Sequence, residues 1–180
     1  GMIGWLPHDS LVVDSIPENW QQFNTEPAQA INFIASHSGI TFGDYLDAHT
    51  SSMYYNNEKV RLSKLGYTAL LTAQGVPLSS EGEEFFRSKN KQYLSEKCGD
   101  DVNQIDWGLK VKHLEHFNYI KGLIQLRKNH PAFRLGTSAL IEQHIDFLPM
   151  DQPQLVGYRI KGNANGDDWE DIIVLFNTGK

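Results

Sequence analysis

LLTAQGVPLSSEGEEFFRSK, residues 70–89, carries three local signals in one stretch. Its first residues close an apolar, helix-period run from Glu58 to Ala73, in which Leu62, Leu65, Ala69 and Ala73 recur at spacings of three and four. Gly75-Val76-Pro77-Leu78-Ser79 reads as a short strand after that run. Glu81, Glu83 and Glu84 form the densest acidic cluster in the chain, with Arg87 and Lys89 close behind as their expected partners. Adjacent residues on a loop point different ways, and acidic groups near a helix start are stabilising in themselves, so this cluster reads as loop support rather than an acid/base pair.

Upstream, Ala30 to Ser36 is a short apolar run suited to a buried strand. Thr41 then caps a predicted helix reaching about Ala48, its hydroxyl able to accept an early backbone N–H. Downstream, Asp106 is the predicted N-cap of the best helix in the chain, which runs to Asn129 and stops before Pro131. Leu114, Phe117, Ile120 and Ile124 share one of its faces. Residues 139–148, 155–161 and 171–176 read as strands, and the cluster from Gly162 to Asp168 supplies the turn of an antiparallel hairpin between the last two. The expected organisation is a loop-rich segment over 1–29, an α/β region over 30–131 and a β tail over 132–180. No internal repeat is visible.

Composition narrows the function. The 180 residues are 40% hydrophobic and 21% charged, the profile of a globular chain with a sizeable core. A net charge of −6 with no lysine or arginine stripe argues against nucleic acid as a partner. The single cysteine, Cys98, reads as a bystander thiol. No stretch is long and apolar enough for a membrane span, and no secretion signal opens the chain, so the expectation is a cytoplasmic protein away from membranes. Gly1 before Met2 reads as a residue left by tag removal, with Met2 the expected natural start. Among the seven histidines, His113 and His116 lie three apart on a helix without a further ligand beside them, so neither metal nor other cofactor is expected.

Several spaced motifs resemble one family. Residues 70–89 are similar to the helix end, strand and loop of pullulanases, debranching members of the α-amylase-like glycoside hydrolases. Gln74, Gly75, Pro77, Gly82, Glu83, Glu84, Arg87 and Lys89 fall on the family pattern L-x-T-x-Q-G-I-P-F-x-x-x-G-E-E-x-x-R-T-K. VNQIDW at 102–107, HFNYIKGLIQLRKNHPAFRLG at 116–136 and DIIVLFN at 171–177 resemble the family's next segments in order. INFIASHSGITFGDYL at 31–46 resembles its I-N-Y-V-x-x-H-D-N-x-T-L-W-D-x-L strand and loop, which puts Asp44 on the second Asp of that pattern. The match covers residues 23–177. It implies a partial (β/α)8 barrel made of the last two strand–helix units, followed by the start of an antiparallel C-terminal β domain.

The resemblance also implies a deficit. Retaining glycosidases act with two carboxyl groups about 5 Å apart, a nucleophile and a general acid. In the family both come from barrel strands earlier than those recognised here. A third catalytic carboxylate, the Asp of the His-Asp-Asn motif, falls on Ser38, beside His37. A serine hydroxyl bonds a sugar without charge and does not replace a charge-assisted bond about twice as strong. The expected function is a pullulanase-like relative without hydrolytic activity of its own, serving as a weak α-glucan-binding or structural module. His37, Asp106 and Trp107 are the candidate sugar contacts; Trp5, Trp20 and Trp169 are read as packing residues. Asp44 is expected as a helix-surface carboxylate. Two alternatives stand beside this reading: part of a split or longer α-1,6-debranching glycosidase completed by another polypeptide, and a self-associating module, a homo-oligomer or a complex in which a partner chain covers open strand edges.

Overall fold

The computed structural model describes residues 26–36, 39–49 and 55–179. In chain order these form β1 (Ile31–Phe33), α1 (Phe42–His49), α2 (Tyr55–Thr72), β2 (Val76–Leu78), α3 (Asp100–Asn103), α4 (Gly108–Lys112), α5 (Leu114–Asn129), α6 (Ser138–His144), β3 (Ile145–Phe147), β4 (Leu155–Lys161) and β5 (Asp171–Asn177). The architecture is mixed α/β, with β1 beside β2 in one sheet and the order β3-β4-β5 in another. Among the described residues no helix is long and apolar enough to cross a membrane. The described residues divide into two compact units, a helical one within 33–71 and 78–126 and a sheet unit within 26–32, 72–77 and 127–179.

In the helical unit, α1 starts as the sequence predicts, with Thr41 Oγ1 accepting the Asp44 N–H at 3.0 Å. A second cap comes from far along the chain: Glu83 accepts the Phe42 N–H with both oxygens, at 3.0 and 3.1 Å. Helices α2 and α5 meet through Tyr67, Leu70, Leu71, Ile120 and Leu123, with Ile34, Phe42 and Leu126 packed against them. Lys64 pairs with Glu115 at 2.7 Å, and Thr68 bonds the Tyr119 hydroxyl at 2.7 Å.

Two expectations about helix faces are corrected here. Of the predicted α2 face, Leu62 and Leu65 are half-buried and Ala69 is exposed, while Ser63, Tyr67, Leu70 and Leu71 are buried. The single helix expected from Asp106 to Asn129 breaks at His113, whose backbone leaves the helical region (φ −113°, ψ 34°). In α5 the buried stripe is His116, Ile120, Leu123 and Arg127, while Leu114 and Ile124 are exposed. Hydrophobic periodicity misses such a stripe because two of its members are polar. Their burial is tolerated by long-range hydrogen-bond partners that local sequence does not reveal.

The sheet unit is organised around residues 72–77, near the start of the 70–89 stretch. Tyr158 donates its hydroxyl proton to the Thr72 carbonyl at 2.8 Å. Arg127 donates to the Ala73 and Gly75 carbonyls, both at 2.7 Å. Gln74 donates to the Ala132 carbonyl at 2.9 Å and accepts the Leu135 N–H at 2.8 Å. Gly75 holds φ +99°, and a Cβ there would lie 2.9 Å from the Ala30 carbonyl oxygen, so no other residue fits this turn into β2.

The β4–β5 hairpin forms as predicted, with Tyr158 opposite Val174 and Ile160 opposite Ile172. Strand alternation buries Ile172 and Val174 and exposes Ile173 and Leu175. The strand expected over 139–148 is instead α6 followed by the three-residue β3. Thr137 Oγ1 accepts the Leu140 N–H at 3.3 Å and starts a helix where apolar content alone suggested a strand.

Candidate functional site

The candidate site is built on the turn from Gly82 to Arg87. Gly82 holds φ +86°, and a Cβ there would sit 2.8 Å from the Arg87 Cβ, so the turn closes only with glycine. The Phe85 and Arg87 N–H groups both return to the Gly82 carbonyl, at 3.1 and 2.9 Å. Arg87 is buried: its Nη1 pairs with Glu81 at 3.1 Å and its Nη2 donates to the Asn103 carbonyl. Its Nε has no acceptor among the described residues. The acidic cluster is therefore loop support, with Glu81 on Arg87 and Glu83 on the start of α1.

Burial pushes the Glu83 carboxyl up to about 7. The N–H groups of Phe42 and Gly43 oppose that shift, Asp44 adds to it, and Arg87 opposes it. Asp44 itself is no surface carboxylate: it is 2% exposed and accepts from Ser88 Oγ at 2.6 Å, the Lys89 N–H at 2.9 Å and the Lys91 N–H at 3.1 Å. The α1 helix faces inward at this position, and the chain after Arg87 winds around its one buried charge.

Beside this scaffold lies a polar cleft of about 410 Å³, walled by Arg87, Ser88, Asn90, Asp101, Gln104 and Asp106 with Val102 and Leu109 as its apolar part. Carboxylates, amides, a hydroxyl and a guanidinium together offer both acceptors and donors, which suits a polyhydroxylated ligand. Of the sequence-derived contacts, Asp106 lies on this wall, where its Oδ1 also accepts the Gly108 N–H at 2.8 Å. Trp107 is 63% exposed, tilted against Phe85 at 5.9 Å, and is not part of the cleft lining. His37 and Ser38 lie outside the described residues. Sequence reasoning took Arg87 only as a partner for the acidic cluster and passed over Ser88, Asn90, Asp101 and Gln104. The density of polar residues around VNQIDW was the available signal.

Elsewhere the chemistry-bearing side chains serve structure. Asp167 accepts from His130 Nδ1 at 2.9 Å, the Trp169 N–H at 2.9 Å and the Ala132 N–H at 3.1 Å. Burial opposes its charge, but these donors together hold its carboxyl below the usual value. His130 stacks on Trp169 with ring centres 3.7 Å apart. Cys98 is a free, half-buried thiol. Among the described residues no group of His, Cys, Asp or Glu could hold a metal ion.

Comparison with known proteins adds four findings. Residues 141–180 match the family model "Pullulanase, all-beta domain". The chain is 38% identical over 150 residues to the pullulanase of Bacillus subtilis (strain 168), covering 83% of this chain and 21% of that protein. Its fold superposes on the pullulanase of Bacillus acidopullulyticus with a TM-score of 0.83 at 35% identity, over 88% of this chain and 19% of that one. A maltose complex of the B. subtilis type I pullulanase gives a TM-score of 0.78 at 36% identity, over 85% and 21%. The chain thus spans about a fifth of the length of the relatives it matches.

Proposed function

Since this chain is a relative of the pullulanases, we propose that it is an α-glucan-contacting module of that glycoside hydrolase type which does not hydrolyse glycosidic bonds by itself. In this reading residues 30–131 correspond to the last two strand–helix units of a (β/α)8 barrel, and residues 132–180 open the C-terminal β domain. The observation that carries it is the use of the buried carboxylates. Asp44, Glu83 and Asp167 each accept backbone N–H groups, so their lone pairs hold the fold together rather than a substrate. Hydrolysis with retention asks for a nucleophile and an acid about 5 Å apart and open to the sugar. Ser38, at the family's third carboxylate position, points the same way. The cleft around Asp106 supplies the hydroxyl partners that weak glucan binding needs.

The test is the purified chain with pullulan. No reducing ends should appear, and maltooligosaccharide titration should show weak binding that Asp106→Ala removes. Hydrolysis lost in Asp101→Asn or Asp106→Asn would overturn the reading.

A second reading, completion by another polypeptide, is favoured by the share of the relatives that the chain spans. Debranching activity appearing only on mixing with the remaining barrel strands would select it. Self-association is a third, supported by the exposed apolar side chains Ile173 and Leu175 of β5. A monomer in sedimentation at micromolar concentration would remove it.

A further inference from the structure

One aromatic ring in the sheet unit is held firmly and left half open, and the functional reading does not use it. Trp169 stacks on His130 with ring centres 3.7 Å apart and 31° between the planes, yet the residue stays 47% exposed. A ring backed on one side and exposed to this extent turns its other face to solvent. Its mounting is tight. Asp167, 3% exposed, accepts the Trp169 N–H and the His130 Nδ1–H, both at 2.9 Å, so one buried carboxylate fixes the indole's backbone and its backing ring together. Asn163 clamps the same segment: its Nδ2 donates to the Asp167 carbonyl at 3.0 Å, and its backbone N–H donates to the Glu170 carbonyl at 3.0 Å. Asp168 and Glu170, the chain neighbours of Trp169, are both exposed.

We propose that Trp169 is a second α-glucan contact, a platform on which the apolar face of one glucose ring stacks while Asp168 and Glu170 accept from its hydroxyls. A glucose ring is apolar across its C–H face and hydroxylated at its rim. Indole offers a flat apolar surface to the first, and carboxylates are acceptors for the second. Withdrawing the two apolar faces from water drives the contact. An indole already fixed loses little conformational freedom on binding, which is what lets a single exposed aromatic serve as a contact. The two carboxylates repel an anionic ligand. A cation is best held over several ring faces, whereas His130 is the one ring against Trp169 among the described residues. A neutral sugar ring is the class that remains. The proposal rests on the α-glucan reading of this chain, but not on the cleft around Asp106.

Maltoheptaose titrated into the full chain, followed through the indole Nε1–H signals by NMR, tests it, with the Trp169 signal identified by its loss in Trp169→Phe. One ring face gives a dissociation constant on the order of millimolar, too weak to register in the cleft titration and so read at the ring itself. The Trp169 signal should shift and saturate with maltoheptaose, in wild type and in Asp106→Ala alike. It should not move with sorbitol, which carries hydroxyls but no ring face. In His130→Ala, which removes the backing ring, the same shift should need about threefold more sugar. Where that variant does not fold, the comparison with sorbitol in wild type decides. A Trp169 signal that stays still while the Asn90 and Gln104 side-chain amides of the cleft respond would make Trp169 a packing residue and leave the functional reading standing. Equal shifts with sorbitol or n-butylammonium, or movement with protein concentration alone, would also overturn the platform. A response at Trp169 without one at the cleft amides would support the platform and remove the cleft.

Discussion

The helical unit and the sheet unit solve the same stability problem with different materials. The helical unit is stitched by buried polar side chains acting at long range: Glu83 on α1, Asp44 on residues 88–91, and His116 on Ser63 and the turn. The sheet unit has polar anchors of its own in Arg127, Gln74 and Asp167, but adds to them a seven-residue antiparallel register and apolar alternation, with the ion pairs Arg159–Asp171 and Lys161–Asp146 at the surface. The difference teaches where chemistry-like residues mislead. A buried carboxylate or histidine in the helical unit resembles catalytic equipment, yet its partners are backbone groups and serine hydroxyls of the fold itself.

That contrast can be broken, beginning with the largest effect. Phe133, 1% exposed in the sheet unit, should cost about 4 kcal/mol when cut to alanine, as large core truncations do. Urea unfolding measures it, and a cost under about 1 kcal/mol would deny that apolar burial supports that unit. Asp44→Ala should cost about 3 kcal/mol, since three donors lose a charged acceptor in a buried place. The same experiment should show residues 88–91 open to proteolysis.

Glu83 sharpens the comparison through pH. Its carboxyl is raised to about 7, so its contribution is fully present below the ordinary value near 4.5 and is lost as pH rises through about 7. The stability difference between Glu83→Gln and wild type should therefore grow in the variant's favour over that window, and a flat difference would contradict the buried placement. Smallest of all, Arg159→Ala should leave unfolding within error of wild type, and added salt should not separate the two. A clear loss there would mean that the sheet unit also depends on charge.

Much of the fold is legible locally. Thr41 announces α1, Gly75 announces β2, and the Gly162–Asp168 cluster announces the β4–β5 hairpin, each because a cap or turn acts within a few residues. The misreadings share one cause. Residues 139–144 look like a strand until Thr137 is seen to accept the Leu140 N–H, and the α5 stripe looks apolar until His116 and Arg127 are seen to own it. Of the site, Asp106 was legible through the motif that carries it, while Arg87, Asn90, Asp101 and Gln104 become a wall only when the chain folds back on itself.

By itself, then, the sequence determined the kinship with pullulanases, the α1 cap at Thr41 and the β4–β5 hairpin. These are properties of residue identity and spacing, which need no partner distant in the chain. Only the tertiary structure decided what the acidic and histidine side chains do. Whether Asp44 meets water or three donors, and whether His116 meets a ligand or Ser63, depends on groups some 40 to 50 residues away. Burial then sets the strength of each such contact, because a polar group removed from water takes its energy from whatever the fold places beside it.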